Sequence, residues 1–347
     1  MKLKHLSLSL LTFFLCILGV FCTASYQAQN VAATFQALTS VKVCTSSNSG
    51  NQLLVQYAKN KGIFQKYGLN VEVISIESGT EAAVAMIAKS VNFCQIAGSS
   101  VINAVIAGED LVMIAGIFNQ YPYAFISVPS IKTPQGLKGK AVAISKSGSS
   151  TDAAIRAALK YLKLNPDKDV EIAAVGGEGE RLQAMEAGRI SATVLSFPLS
   201  LKAKNKGYHT LLDMTTLDIP YQHTVIATTR SYIKANPQVT VNFMKAIVEA
   251  IATIKKDRKG AIATLVRANK YDPKADAAIL EEWYDTTIQK KIAKVPYPTL
   301  KGITKMLGDV KVTNPQASKF KAEDTVDISI LRNLEKSGFI NNLYKPK

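Results

Sequence analysis

Histidine is scarce in this chain, with three residues in 347, at positions 5, 209 and 223. There is no His-Glu-x-x-His, no Cys-x-x-Cys and no Cys/His cluster, so the usual zinc sites have nothing to be built from. A Gly-x-Ser-x-Gly elbow and a Walker loop are missing too, and GGEGER at 176–181 lacks the spacing of a dinucleotide fingerprint. These absences weigh against an enzyme, and neither a cofactor nor a metal is expected. Aromatics make up only 7% of the chain and are not interleaved with basic residues, so no nucleic-acid platform is expected.

Long apolar runs are lacking beyond the N-terminus. There, MKLKH is followed by LSLSLLTFFLCILGVF and the small residues of CTAS, the three-part layout of a secretory signal. A signal peptide over 1–24 is expected, with Cys22 and Ala24 at the −3 and −1 positions. The alternative is an uncleaved anchor, because the run approaches the ~18 apolar residues needed to span a bilayer. A lipid on Cys22 fits poorly, since Phe21 stands where a small residue is wanted. Export is expected to place the chain outside the cytoplasm. Removing Lys2 and Lys4 takes the formal charge from +16 to +14, which suits an anionic partner or simply a solvated surface. Of four cysteines, Cys44 and Cys94 remain. Export allows a disulfide chemically, but cysteines directly opposite on parallel strands seldom meet the ~3.8 Å Cβ separation, which weighs against a bridge.

The remaining ~320 residues exceed one ordinary core and suggest two lobes. VKVCTS, LNVEVISIES, VNFCQIAGSS and LVMIAGIF read as strands alternating with helices, and AVAIS, DVEIAAVG and ISATVLS repeat the alternation after residue 140. The expected fold class is α/β, with each lobe a mainly parallel sheet flanked by helices. AMIAKSVNF at 85–93 lies over AMEAGRISA at 184–192 without a gap, a weak internal repeat. From Asn236 onward only helices are expected.

In open α/β sheets ligands bind beyond the carboxyl ends of the strands, where backbone N–H groups lead into helix N-termini. That rule selects Ser47, Asn48 and Ser49 after the first strand, Gly79 and Thr80 after the second, and Gly98, Ser99 and Ser100 after the third. In the second series it selects Ser147, Gly148, Ser149, Ser150 and Thr151, then Arg181 and Phe197. SKSGSST is the strongest of these loops: glycine admits a ligand, hydroxyls donate, and a helix N-terminus favours an anion. The plain alternative is that Ser150 or Thr151 only caps its helix. Arg181 either clamps an acid or pairs with Glu178 at the surface. Tyr121, Tyr123, Phe197 and Tyr221 form either an aromatic wall on a solute or hinge packing, and His223 reads as a buried, satisfied imidazole.

The segments NQLLVQYAKNKGIFQKYGLNVEV, TEAAVAMIAKSVNFCQIAGSS, LKGKAVAIS with the GSS that follows, and AMEAGRISATVLSFP resemble the nitrate/sulfonate/taurine-type periplasmic solute-binding proteins, a group that includes a thiamine-pyrimidine synthase-like branch. The resemblance implies a type II periplasmic-binding-protein fold of the Venus-flytrap kind, with lobe I over 41–123 and 223–345 and lobe II over 124–222. Crossovers would fall near Pro122–Ser127 and Tyr221–Ile226. It implies a monomer that closes on a small solute, probed best with sulfonate- or carboxylate-like anions, and hands it to the permease of an ABC transporter. Family members often have glycine at the places of Cys44 and Cys94 and an acid at those of Asn92 and Ser191. The cysteine-rich motif and active-site histidine of the synthase-like enzymes are not found. A pyrimidine-synthase-like enzyme and a ligand-binding sensory protein stand as the alternatives.

Overall fold

Two five-stranded sheets of identical strand order divide the molecule. The computed structural model describes residues 37–346 apart from Lys270, so the segment read as a signal lies outside the described residues. Among the described residues no helix is long and apolar enough to cross a membrane.

The first sheet has the order β2-β1-β3-β10-β4, built from β1 (Thr39–Thr45), β2 (Leu69–Ser75), β3 (Phe93–Ala97), β4 (Leu111–Phe118) and β10 (Thr224–Thr229). The second has the order β7-β6-β8-β5-β9, from β5 (Tyr123–Ser127), β6 (Lys140–Ile144), β7 (Val170–Ala174), β8 (Ala192–Ser196) and β9 (His209–Asp213). In each sheet the fourth place is held by the one antiparallel strand: β10 runs against β3 and β4, and β5 against β8 and β9. Each lobe therefore takes one strand from a crossing of the chain.

Helices α1 (Leu54–Asn60), α2 (Ile63–Lys66), α3 (Gly79–Ile87) and α4 (Gly98–Ile106) connect the first series, and α5 (Ser150–Tyr161), α6 (Glu178–Glu186) and α7 (Leu199–Asn205) the second. The single helix suggested by LLVQYAKNKGIFQKYG is broken at Gly62, whose φ of 67° is left-handed. The tail is helical: α8 (Arg230–Ala235), α9 (Pro237–Ile254), α10 (Arg258–Asn269), α11 (Ala277–Trp283) running into a π-helical turn (Tyr284–Gln289), α12 (Leu300–Lys311), α13 (Ser329–Lys336) and α14 (Phe339–Asn342). Proline at the first turn of α9 suits a position whose N–H has no partner in the helix. Its buried face, Phe243, Met244, Ile247, Val248 and Ile251, packs with Phe64, Phe93 and Trp283 on one side of the first sheet. On the other side a second apolar cluster runs from Cys44 and Met86 through Tyr121, Tyr123 and Tyr221 into Ile144, Ile155 and Val194 of the second lobe. The lobes thus share a core at their junction.

The repeat noted in the sequence is structural and longer than it looked. α3 and β3, over 79–87 and 93–97, match α6 and β8, over 178–186 and 192–196, at a constant offset. Lys89 (φ 57°) and Gly188 (φ 68°) occupy the same left-handed place in the turn between helix and strand.

The reading against a disulfide is overturned. Cys44 and Cys94 are directly paired in the β1/β3 register and are bridged. Their Cα atoms lie 4.5 Å apart, inside the range a disulfide tolerates. Directly opposed residues on these two parallel strands come close enough for their sulfurs to meet.

Candidate functional site

The chain crosses between the sheets twice, after Phe118 and after Asp213, and the two crossings pack on each other. Tyr121 and Tyr221 stack with centroids 3.8 Å apart at 17°. Tyr121, Tyr123 and Tyr221 are all buried where the two crossings meet. Beside them runs a hydrogen-bonded chain. Asn51 Nδ2 lies 3.1 Å from His223 Nδ1, His223 Nε2 lies 2.9 Å from the Tyr123 hydroxyl, and that hydroxyl lies 2.9 Å from Ser150 Oγ. One assignment satisfies all three contacts: the Asn51 amide donates to Nδ1, Nε2–H donates to Tyr123, and Tyr123 donates to Ser150. Burial holds the imidazole neutral, pushing its pKa down to about 3. The chain links the loop after β1 to the start of α5, one lobe to the other, through both crossings.

On one flank of this hinge the loops selected from the sequence meet each other. Thr80 Oγ1 donates to the Ser147 carbonyl at 3.1 Å, and Asn103 Nδ2 donates to the Gly148 carbonyl at 3.0 Å. Lys146 and Glu81 pair across the gap at 3.0 Å. The N-cap of α5 is Ser149, one residue before the two candidates: its Oγ accepts from Asp152 N, while Thr151 Oγ1 accepts from Ser145 N at 2.8 Å. Gly79 lies so close to Ser100 that a Cβ there would strike the Ser100 hydroxyl, and a Cβ at Gly98 would lie 2.5 Å from the Gln222 carbonyl. After β1, Ser47 Oγ accepts from Ser49 N, and Asn48 Nδ2 donates to Glu77 at 2.6 Å.

Arg181 is corrected on both of its readings. It is 1% exposed, and its guanidinium donates to Thr193 Oγ1, to the Gly176 carbonyl and to the Val194 carbonyl at 2.6–3.0 Å. It braces α6 against β8 and reaches neither the cleft nor the surface. Glu178 beside it accepts from Ser196 N and Oγ; burial pushes its carboxyl up, and Arg181 opposes this.

Among the described residues, six buried polar atoms around the lobe junction have no partner: Asn51 Oδ1, Gln95 Nε2, Ser99 Oγ, Ser100 Oγ, the Tyr221 hydroxyl and Trp283 Nε1. Each such atom costs about 1–3 kcal/mol. Their clustering at one junction marks a place built to receive polar groups.

The opposite flank is open. A groove of about 450 Å³ lies between the lobes, floored by Asn51, Phe118, Pro122 and Phe197 and walled by α7 and β9 on one side and the π-helical turn on the other. Lys204 and Asp213 stand on one wall, Lys291 and Glu282 on the other. Of the residues selected from the sequence, Phe197 alone lines it. Lys204, Glu282 and Lys291 were missed because they sit on helices, which the strand-end rule does not inspect; Asn51 lies in the loop after β1, two residues past the three selected there. A π-helical turn, a common mark of functional sites, is invisible in DTTIQ.

The NMT1/THI5-like family model matches residues 50–261. A putative ABC transporter periplasmic binding protein of Brachyspira hyodysenteriae is 22% identical over 274 residues, covering 73% of this chain and 74% of the relative. Among solved structures, the alkanesulfonate-binding protein SsuA of Xanthomonas axonopodis, bound to MOPS, superposes with a TM-score of 0.69 at 17% identity, over 83% of this chain and 98% of that one. The periplasmic nitrate-binding protein NrtA of Synechocystis superposes with a TM-score of 0.66 at 13% identity, over 89% and 92%. At these identities the structural likeness concerns the fold.

Proposed function

The chain belongs to the NMT1/THI5-like family, and on that premise we propose that it is an exported solute-binding protein without catalysis of its own. It captures a small anionic organic solute, sulfonate- or carboxylate-like, between its lobes and delivers it as a monomer to the permease of an ABC transporter. One observation carries the reading: two sheets of the same order are joined by two crossings, with unpartnered polar atoms buried where they meet. A solute that supplies partners to those atoms stabilises the closed pair of lobes, the behaviour a transport receptor requires. That the structural neighbours include an alkanesulfonate-binding and a nitrate-binding protein supports an anion. His223, the one buried imidazole among the described residues, has both ring nitrogens committed to neighbours and no nucleophile to serve.

Thermal-shift screening of the purified chain against alkanesulfonates, carboxylates, nitrate and neutral pyrimidines tests this. A solute at 100 times its Kd adds about 2.7 kcal/mol, a rise of several degrees in a chain of this size. Such a rise with organic anions is expected. A rise with neutral solutes alone overturns the anion, and turnover of any bound compound overturns the transport role.

A further inference from the structure

The residues that would grip a solute are set by the open flank. Helix α7 and its C-cap carry three lysines two residues apart. Lys202 is paired with Asp276 of the other lobe at 2.7 Å and Lys206 with Glu186 at 2.9 Å. Lys204 lies between them, lines the groove, and forms no ion pair among the described residues. Across the groove Lys291, just beyond the π-helical turn, is likewise unpaired and half-buried. The two cations come from different lobes, so an anion between them attracts both and draws the walls together. Of the two acids in the lining, Asp213 is engaged with the N–H and hydroxyl of Thr215 at 2.9 and 2.7 Å, and Glu282 is exposed.

The floor is different in kind. Phe118, Pro122, Phe197 and Leu201 offer apolar surface, and among them stands Asn51, 3% exposed, with Oδ1 unpartnered. The other half of that carboxamide feeds the hydrogen-bonded chain through His223 and Tyr123 to Ser150. Asn51 therefore has an acceptor to offer a solute and a donor already committed to the hinge. A water occupies about 30 Å³ of liquid, so a four-atom oxyanion fills a small part of 450 Å³; the space suits a molecule with a carbon body.

Resting on the reading of the chain as a solute receptor, we propose that the solute sits in this groove as an organic anion bearing a hydrogen-bond donor. Lys204 and Lys291 clamp its anionic group from opposite lobes, and Asn51 Oδ1 accepts from its donor and couples occupancy to the hinge. Recognition thus lies on α7 and the π-helical turn, while the SKSGSST loop serves the contact between lobes on the far flank.

Calorimetric titration with 3-aminopropane-1-sulfonate, propane-1-sulfonate and nitrate reads out the three parts. Wild-type protein should bind the aminosulfonate about tenfold more tightly than propanesulfonate, and nitrate most weakly. Lys204→Gln and Lys291→Gln should each weaken both sulfonates about tenfold, and Asn51→Leu should abolish the preference for the amine. Because Asn51→Leu disturbs the hinge, a second measurement uses the unaltered chain: mass spectrometry after acetylation, in which bound aminosulfonate protects Lys204 and Lys291 but not Lys160. Binding that is indifferent to both lysine variants, or protection of neither lysine, overturns the groove while leaving the receptor reading intact. Equal wild-type affinity for the two sulfonates overturns the role of Asn51. No binding of any probe to wild-type protein overturns this inference and the anion reading together.

Discussion

The hydroxyl of Tyr123 lies 2.9 Å from Nε2 of His223, with the two rings edge to face at 84°. One residue begins β5 after the first crossing and the other precedes β10 after the second, so a single hydrogen bond ties the two connections between the lobes. The neutral imidazole, required for Nδ1 to accept from the Asn51 amide, has consequences in acid.

His223 titrates at about 3 in the folded chain and near 6.5 when unfolded. Between these values the unfolded state binds more protons, so stability falls as pH drops through about 6.5 and stops falling below about 3. The loss approaches 1.4 kcal/mol per pH unit. Urea melts from pH 7 to 4 should show this slope, and His223→Gln should flatten it. An unchanged slope in the variant would remove His223 from the acid response.

The disulfide closes a loop of 50 residues within the first sheet. Replacing both Cys44 and Cys94 by alanine should lower the unfolding free energy by about 2–4 kcal/mol. Since both cysteines are fully buried, free thiols in reductant should appear at the rate of unfolding. Denaturant melts and thiol-labelling kinetics give the two numbers.

Lys89 holds a left-handed conformation that its counterpart in the other lobe assigns to Gly188. Lys89→Gly should stabilise the chain by up to about 1 kcal/mol, and Gly188→Ala should destabilise it by a similar amount. Calorimetric melting of the two variants should move in opposite directions.

Gly50, in the loop after β1, lies against both Trp283 of its own lobe and Phe197 of the second lobe. A Cβ there would collide with the Trp283 indole and lie 2.8 Å from the Phe197 carbonyl. Gly50→Ala should press on both, enlarge the radius of gyration in small-angle scattering, reduce solute affinity, and lower the melting temperature of the apo chain through the buried Trp283. An unaltered scattering curve with full affinity would show that the loop yields.

Lys202 and Asp276 join α7 to the loop before α11, and the Lys202 ammonium also lies 5.2 Å from the Tyr271 ring. The aspartate is almost fully buried, so this pair resists screening better than a surface one. Lys202→Ala should weaken solute binding several-fold through loss of the closed state. Because the pair is shielded from salt, affinity measured against salt should keep the wild-type slope in the variant.

The doubled α/β series, the helical tail and the 85–93/184–192 repeat were legible because periodicity and glycine placement act locally. β9 was passed over: HTLLD is an edge strand with half-exposed residues, and its alternation is blurred. The cysteine pair was misjudged because register alone does not give the separation of two strands. The loops selected by the strand-end rule lie at the lobe junction, yet which flank of that junction stays open depends on side-chain volumes at Gly79, Gly98 and Ser100, which no pattern encodes. Lys204 is one of three lysines at alternate positions in KAKNK, and only the partners of Lys202 and Lys206 set it apart.

Strand β10 fills the place between β3 and β4, which do not pair with each other. The first sheet therefore stays split until residue 229 is available, whereas β5 to β9 are contiguous and need nothing beyond Asp213. A chain synthesised from the N-terminus meets a long-range closure on one side and a local one on the other, and local closure is faster. The segment that comes second in the sequence completes its hydrogen-bonded ladder first, and the earlier half waits for it.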